Sequence, residues 1–173
     1  MLRNILIASL LAWSQTTTQT EVWRVLREQA PLRGITAVTI KVQALSDDAA
    51  RCGITADSIR SAASRPFADA GLRVLDDPGT GPRVALQVSV LAPAPTLCIA
   101  NINADLLEEA PGALPHKQTL TEAKVVDAPL TVQLLRDGTF AAGLTADFAQ
   151  KIQASVRSLA DGFAAKIKQA NPR

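Results

Sequence analysis

The stretch Thr36–Asp77, TAVTIKVQALSDDAARCGITADSIRSAASRPFADAGLRVLDD, decides the fold. Val38, Ile40 and Val42 alternate with Thr39, Lys41 and Gln43, the period-2 pattern of a half-buried strand. A helix start follows at Ile54–Ile59. Thr55 can accept from a first-turn N–H, Asp57 suits the positive end of the helix dipole, and Ile54 can pack onto Ile59. Ile59, Ala63, Phe67 and Ala70 recur at helical spacing, and Gly71 supplies the left-handed residue that ends the helix. Leu72–Leu75 is then a second strand. A strand, a crossover helix and a strand form one parallel, right-handed unit.

Working outward toward the C-terminus, Asp77–Pro82 is turn chemistry whose glycines lead into a strand, where a phosphate cradle would need a helix and a lysine. That strand is Arg83–Leu91, with Val84, Leu86, Val88 and Val90 set against Gln87 and Ser89. Pro93-Ala94-Pro95 turns the chain and Leu97–Leu107 returns as the second arm of a hairpin. Glu108–Lys117 reads as a loop. Thr119–Val126 alternates again and Pro129 interrupts before Leu130–Leu135, which makes one bent strand or two because a proline belongs at an edge or a break. Arg136-Asp137-Gly138 is a tight-turn signal. Thr145 is placed to cap a last helix, in which Phe148, Ile152, Val156, Leu159, Phe163 and Ile167 line one face before Asn171-Pro172 ends it. Gly162 beside Phe163 marks an expected close approach of helix and sheet. The expected fold class is α/β (α+β). A mixed four- to five-stranded sheet carries two long helices on one face, in the order β-α-β-β-β-β-α.

Toward the N-terminus, Arg3, the apolar run Ile5–Ala12 and the small residues Ala12 and Ser14 have the layout of an export signal. The run is about 8 residues, well short of the roughly 20 of a spanning helix. Residues 1–14 are therefore expected to be a signal peptide and 15–30 a flexible leader with a short N-terminal segment. Glu21–Gln29 is read there as a short helix, and 31–173 as a single α/β domain. The expected location is periplasmic or secreted, with no membrane span once the signal is removed.

The whole chain has 173 residues and a net charge of +2, too small a positive excess to imply a nucleic-acid partner. Aromatic residues make up only 3% and there is no Tyr, which argues against a Tyr-rich and Trp-rich hot-spot surface.

The candidates for chemistry are few. His116 is the lone histidine, between Pro115 and Lys117 in a polar loop, without an orienting partner in sequence. There is no Gly-x-Ser-x-Gly, and Cys52 and Cys98 lack zinc-ligand spacing. No catalytic or cofactor-binding residue is assigned and no cofactor is expected. Asp47-Asp48 and Asp76-Asp77 each follow a strand, and two carboxylate pairs at parallel strand ends could hold a divalent cation. The plainer reading is that they start turns. Two cysteines in an exported chain argue for a Cys52–Cys98 disulfide. Simple strand counting argues the other way, since it puts Cys98 at the opposite end of the sheet from Cys52.

Cys52-Gly53-Ile54-Thr55, Ala70-Gly71-Leu72-Arg73-Val74, Leu97-Cys98 and Leu159–Phe163 with Asn171-Pro172 resemble segments of small exported bacterial α/β proteins. The element order is similar to the TolB amino-terminal domain and to penicillin-binding-protein activator modules. That resemblance implies a non-catalytic binding or envelope-assembly role with another envelope protein as partner. The alternative is a small metal-dependent hydrolase using the strand-end carboxylates. This chain departs from the activators in carrying no Cys near the end of its apolar run, so no binding residue is carried over.

Overall fold

Five strands form one open sheet in the order β2-β1-β3-β4-β5, here β1 Ala37–Val42, β2 Arg73–Leu75, β3 Arg83–Ala94, β4 Leu97–Gly112 and β5 Ala128–Leu144. The structure, a computed structural model, describes residues 29–76, 81–112 and 128–172. The expected signal peptide, nearly all of the leader helix, Asp77, the loop around His116 and the strand Thr119–Val126 lie outside the described residues. Among the described residues three α-helices accompany the strands, α1 Asp47–Arg51, α2 Ala56–Asp69 and α3 Thr145–Ala170, with a short 3-10 helix over Ala30–Leu32. The architecture is the expected mixed α+β sheet with two long helices, to which α1 is a one-turn addition.

The deciding stretch folds as its pattern dictates. Val38 and Ile40 of β1 are buried and Lys41 is exposed. Thr55 caps α2, accepting from the Ser58 N–H at 3.2 Å, while the Ser58 hydroxyl accepts from the Thr55 N–H at 3.3 Å. The reciprocal pair satisfies two donors that a bare helix start leaves open. Ile54 and Ile59 are both buried, as are Ala63 and Phe67. Gly71 takes φ +83° just beyond the helix, a conformation that costs a residue with a Cβ. The carbonyls of Pro66, Phe67 and Ala68 are met there by the N–H groups of Ala70, Leu72 and Gly71. β2 then pairs parallel with β1, Val38 opposite Val74.

β1 serves two partners in turn. Its first half pairs with β2 and its second half with β3, both parallel, and Thr39 is the residue shared between Leu75 and Arg83. β2 and β3 lie on opposite sides of β1. Thr39, whose N–H donates to the Pro82 carbonyl at 3.0 Å, is only 4% exposed.

β3 and β4 form the expected antiparallel hairpin, and their core faces follow the alternation: Val84, Leu86, Val88 and Val90, then Ala100, Ile102, Ala104 and Leu106. α2 and α3 cover this face and touch each other. Phe148, Ile152, Val156, Phe163 and Ile167 of α3 are all buried against it. Each such side chain contributes about 1.5–3 kcal/mol by leaving water.

Several expectations change beyond this core. Glu108–Gly112 continue β4 where a loop is expected, pairing with Val132–Ala128 of β5. The pair therefore runs on as a two-stranded ribbon beyond Arg83, the first residue of β3, which pairs with Leu107. Pro129 does not break β5. It stands opposite Pro111 in the ribbon, where among the described residues neither strand has a partner on its outer edge, so a missing donor is tolerated. Arg136-Asp137-Gly138 is not a turn but the middle of β5, opposite Asp105, Ala104 and Asn103. Gly138 is needed there because a Cβ would lie 2.7 Å from Asn103 Oδ1 and 3.0 Å from the Ile102 carbonyl.

At α3, Thr145 is the first helical residue and Leu144 the N-cap. The Thr145 hydroxyl donates to the Pro95 carbonyl at 3.2 Å, away from the helix's own first turn. Gly162 is exposed and nothing lies within 4 Å of where its Cβ would be, so it is not a point of close approach.

Candidate binding surface

Asp48 and Asp76, one from each carboxylate pair, are not brought together. Asp48 lies in α1, where Oδ1 accepts from Arg51 at 3.0 Å and Oδ2 accepts from the Ala92 N–H at 3.1 Å. It ties the helix to the far end of β3. Asp47 is exposed beside it. Asp76 follows β2, which stops at the level of Arg83. Arg83 and Ala92 are nine positions apart on one strand, which is on the order of 30 Å. Cation ligands sit about 2.3–2.6 Å from a shared calcium ion, so Asp48 and Asp76 cannot hold one ion. Among the described residues no three His, Cys, Asp or Glu side chains cluster as a metal site.

Cys52 and Cys98 form a disulfide with Cα atoms 6.2 Å apart, and both residues are buried. The strand-counting objection fails because β3 runs parallel to β1. The Pro95-Thr96 turn after β3 therefore lies at the same end of the sheet as the β1–α1 connection. The bridge pins the end of α1 to the start of β4, beside Thr145 of α3, whose Oγ1 is 3.7 Å from Cys98 Sγ.

The face of the sheet away from α2 and α3 carries the remaining chemistry, and register lays it out in rows. Leu97 pairs with Leu144, and Leu91, Ile99 and Ala142 share the next row. Ser89, Asn101 and Phe140 make a third, and Gln87, Asn103 and Gly138 a fourth. Gln43 extends the fourth row, since its N–H donates to the Leu86 carbonyl at 2.9 Å. One row further, Arg136 clasps Asp105 through Nε at 2.8 Å and NH2 at 3.5 Å, with Lys41 exposed opposite Ala85. Arg83 pairs with Glu109 at 2.6 Å near the base of the ribbon.

Two zones result. At the turn end the surface is apolar, with Leu91, Phe140 and Leu144 respectively 64%, 65% and 62% exposed. Next to it is a field of uncharged hydrogen-bonding side chains. A shallow depression of about 450 Å³ spans the boundary between them, and none of its lining residues is ionisable. Sequence pattern could have placed Gln87, Ser89 and Asn101 on one face. Phe140 was hidden by the turn reading of Arg136–Gly138, which broke β5 before the row that holds it.

Fold and surface together define an open-faced α+β module with a disulfide at the turn end of its sheet. No protein-family model matches the chain, and no curated protein does. Among solved structures it is similar to a PelC dodecamer from Paraburkholderia phytofirmans, at 8% identity and TM-score 0.42, over 77% of this chain and 86% of that one. It is also similar to a minor lipoprotein from Acinetobacter baumannii, at 12% identity and TM-score 0.36, over 78% of this chain and 94% of that one. A third is the rare lipoprotein B from Shewanella oneidensis, at 11% identity and TM-score 0.27, over 76% and 92% of the two chains.

Proposed function

We propose that this chain is an exported binding or envelope-assembly module, periplasmic or secreted, that works without catalysis and docks another envelope protein on its open sheet face. The observation that carries the reading is the exposure of Leu91, Leu97 and Leu144 together at one end of that face. A large apolar side chain standing free is ordinary, whereas several in adjoining rows on a sheet face that no described helix covers mark an interaction surface. The disulfide supports an oxidising compartment, in which such bonds form and persist. The layout of residues 1–14 supports export, with 15–30 as leader and 31–173 as the working domain. Among the described residues no helix is long and apolar enough to cross a membrane.

The test is a pull-down from envelope extract using the disulfide-bonded chain as bait, beside Leu91→Glu and Leu144→Glu. Both side chains are exposed, so the variants fold. A specific envelope protein captured by the parent and lost from both variants supports the reading. Identical capture by all three baits overturns the assignment to this face.

A further inference from the structure

The rows beside the apolar end carry a second arrangement. Gln43, Gln87 and Asn103 lie in one row, Ser89 and Asn101 in the next, and Phe140 closes the second row on β5. Neighbouring strands are about 4.8 Å apart, and alternate residues along one strand about 6.7 Å. Five uncharged hydrogen-bonding groups thus form a two-row grid with an aromatic ring at its margin. No side-chain hydrogen bond within the described residues uses Gln43, Gln87, Ser89 or Asn101. Each amide offers two donors and an acceptor, and each hydroxyl offers both roles.

We propose that this field binds an uncharged saccharide chain, laid across β3 and β4 with one sugar ring stacked on Phe140. It rests on the reading of the open face as a binding surface and shares Phe140 with the apolar end, but takes its hydrogen bonds from the polar rows and not from Leu97 or Leu144. The charge pattern selects the ligand. The depression has no ionisable lining, so an anionic polymer gains nothing there and a nucleic acid finds no phosphate contacts. The ionic groups lie around the field and not in it: Lys41 and the Asp105–Arg136 pair one row away, where each charge of the pair already faces its opposite, Asp48 held by Arg51 and the Ala92 N–H, and Lys151 at the β5 edge.

Vicinal hydroxyls are donor and acceptor at once, which is what side-chain amides complement, and the C–H face of a pyranose is apolar, which suits an exposed ring. A second copy added at the β5 edge is the less suitable occupant. Lys151 reaches over that edge to within 3.5 Å of the Ala142 carbonyl, next to Phe140's own row, and lysine at a strand edge discourages pairing. Gly138 contributes by omission, leaving the space into which the Asn103 amide leans.

The experiment is calorimetric titration of the disulfide-bonded chain with cellohexaose, chitohexaose and maltohexaose, and with hexagalacturonate as the anionic control. At least one neutral hexamer binds, hexagalacturonate does not, and Asn101→Ala and Phe140→Ala each weaken binding about tenfold, the loss of roughly one good contact. Leu144→Glu leaves hexamer binding unchanged while abolishing protein capture, which separates this site from the protein-docking end. The proposal is overturned if no neutral hexamer binds, if both variants bind as the parent does, or if hexagalacturonate binds best and salt suppresses it. Unchanged protein capture alongside any of those results leaves the docking surface standing and removes only the saccharide.

Discussion

Asn171 holds Gly34 across 137 positions of sequence: its Oδ1 accepts the Gly34 N–H at 2.6 Å. The same side chain donates from Nδ2 to the carbonyls of Leu32 and Ile167, at 2.9 and 2.8 Å. One amide therefore satisfies an orphan carbonyl in the last turn of α3 and fastens the segment that leads into β1. Gly34 itself takes φ +83° to present its N–H there.

Removing that amide is expected to loosen both ends at once. Asn171→Ala loses three hydrogen bonds at about 0.5–1.5 kcal/mol net each, so a destabilisation of about 1.5–4.5 kcal/mol is expected. Urea titration measures it. A loss under about 0.5 kcal/mol would show that water replaces the amide without cost.

The Cys52–Cys98 bridge closes a long loop, with a sequence separation of 46. In the chain-entropy model this stabilises the fold by about 4 kcal/mol. Alkylation of the denatured, unreduced protein should leave both cysteines unlabelled by mass spectrometry. The paired Cys52→Ala, Cys98→Ala variant should unfold at lower urea by the corresponding amount, and two labelled cysteines in freshly extracted protein would contradict the bridge.

α3 is docked through its apolar stripe. Phe163 is fully buried and Lys168 is exposed. Phe163→Ala is expected to cost about 3–5 kcal/mol by emptying a core aromatic site, and Lys168→Ala less than about 0.5. Equal small losses in urea would mean that the helix contributes little to the domain.

Two glycines should respond in opposite directions. Gly162 sits in an exposed helical position with open space around it, so Gly162→Ala should stabilise by about 0.5–1 kcal/mol. At Gly138 a methyl group meets the Ile102 carbonyl at 3.0 Å as well as the Asn103 side chain, and only the latter can swing away. Gly138→Ala should therefore destabilise by about 1 kcal/mol or more. Thermal melts of the two variants, read as shifts of opposite sign, check both.

Much of the fold was legible in local pattern. The alternation of Val38, Ile40 and Val42, the Thr55 cap and Gly71 specify β1, α2 and the entry to β2 because side-chain periodicity and backbone φ act over a few residues. The stripe from Phe148 to Ile167 did the same for α3, since one helix face must be buried. The α1 turn was not legible, because Asp47-Asp48 suits a turn as well as a helix start and only the bond to Ala92, 44 positions away, selects the latter.

What only the tertiary structure decided depends on which strands neighbour which. The parallel pairing of β3 with β1 brings Cys52 to Cys98, and the same order separates Asp48 from Asp76. Pro129 and Gly138, locally the marks of a break, became strand residues because β4 supplied a ladder partner at every position from Gly112 to Leu97 except the single bulge. Strand order is set by long-range burial, in which the energy of a pairing comes from residues far apart in the chain. Local sequence therefore determined which segments would be strands and helices, and the joint packing of the sheet against α2 and α3 determined which polar rows were left together on the open face.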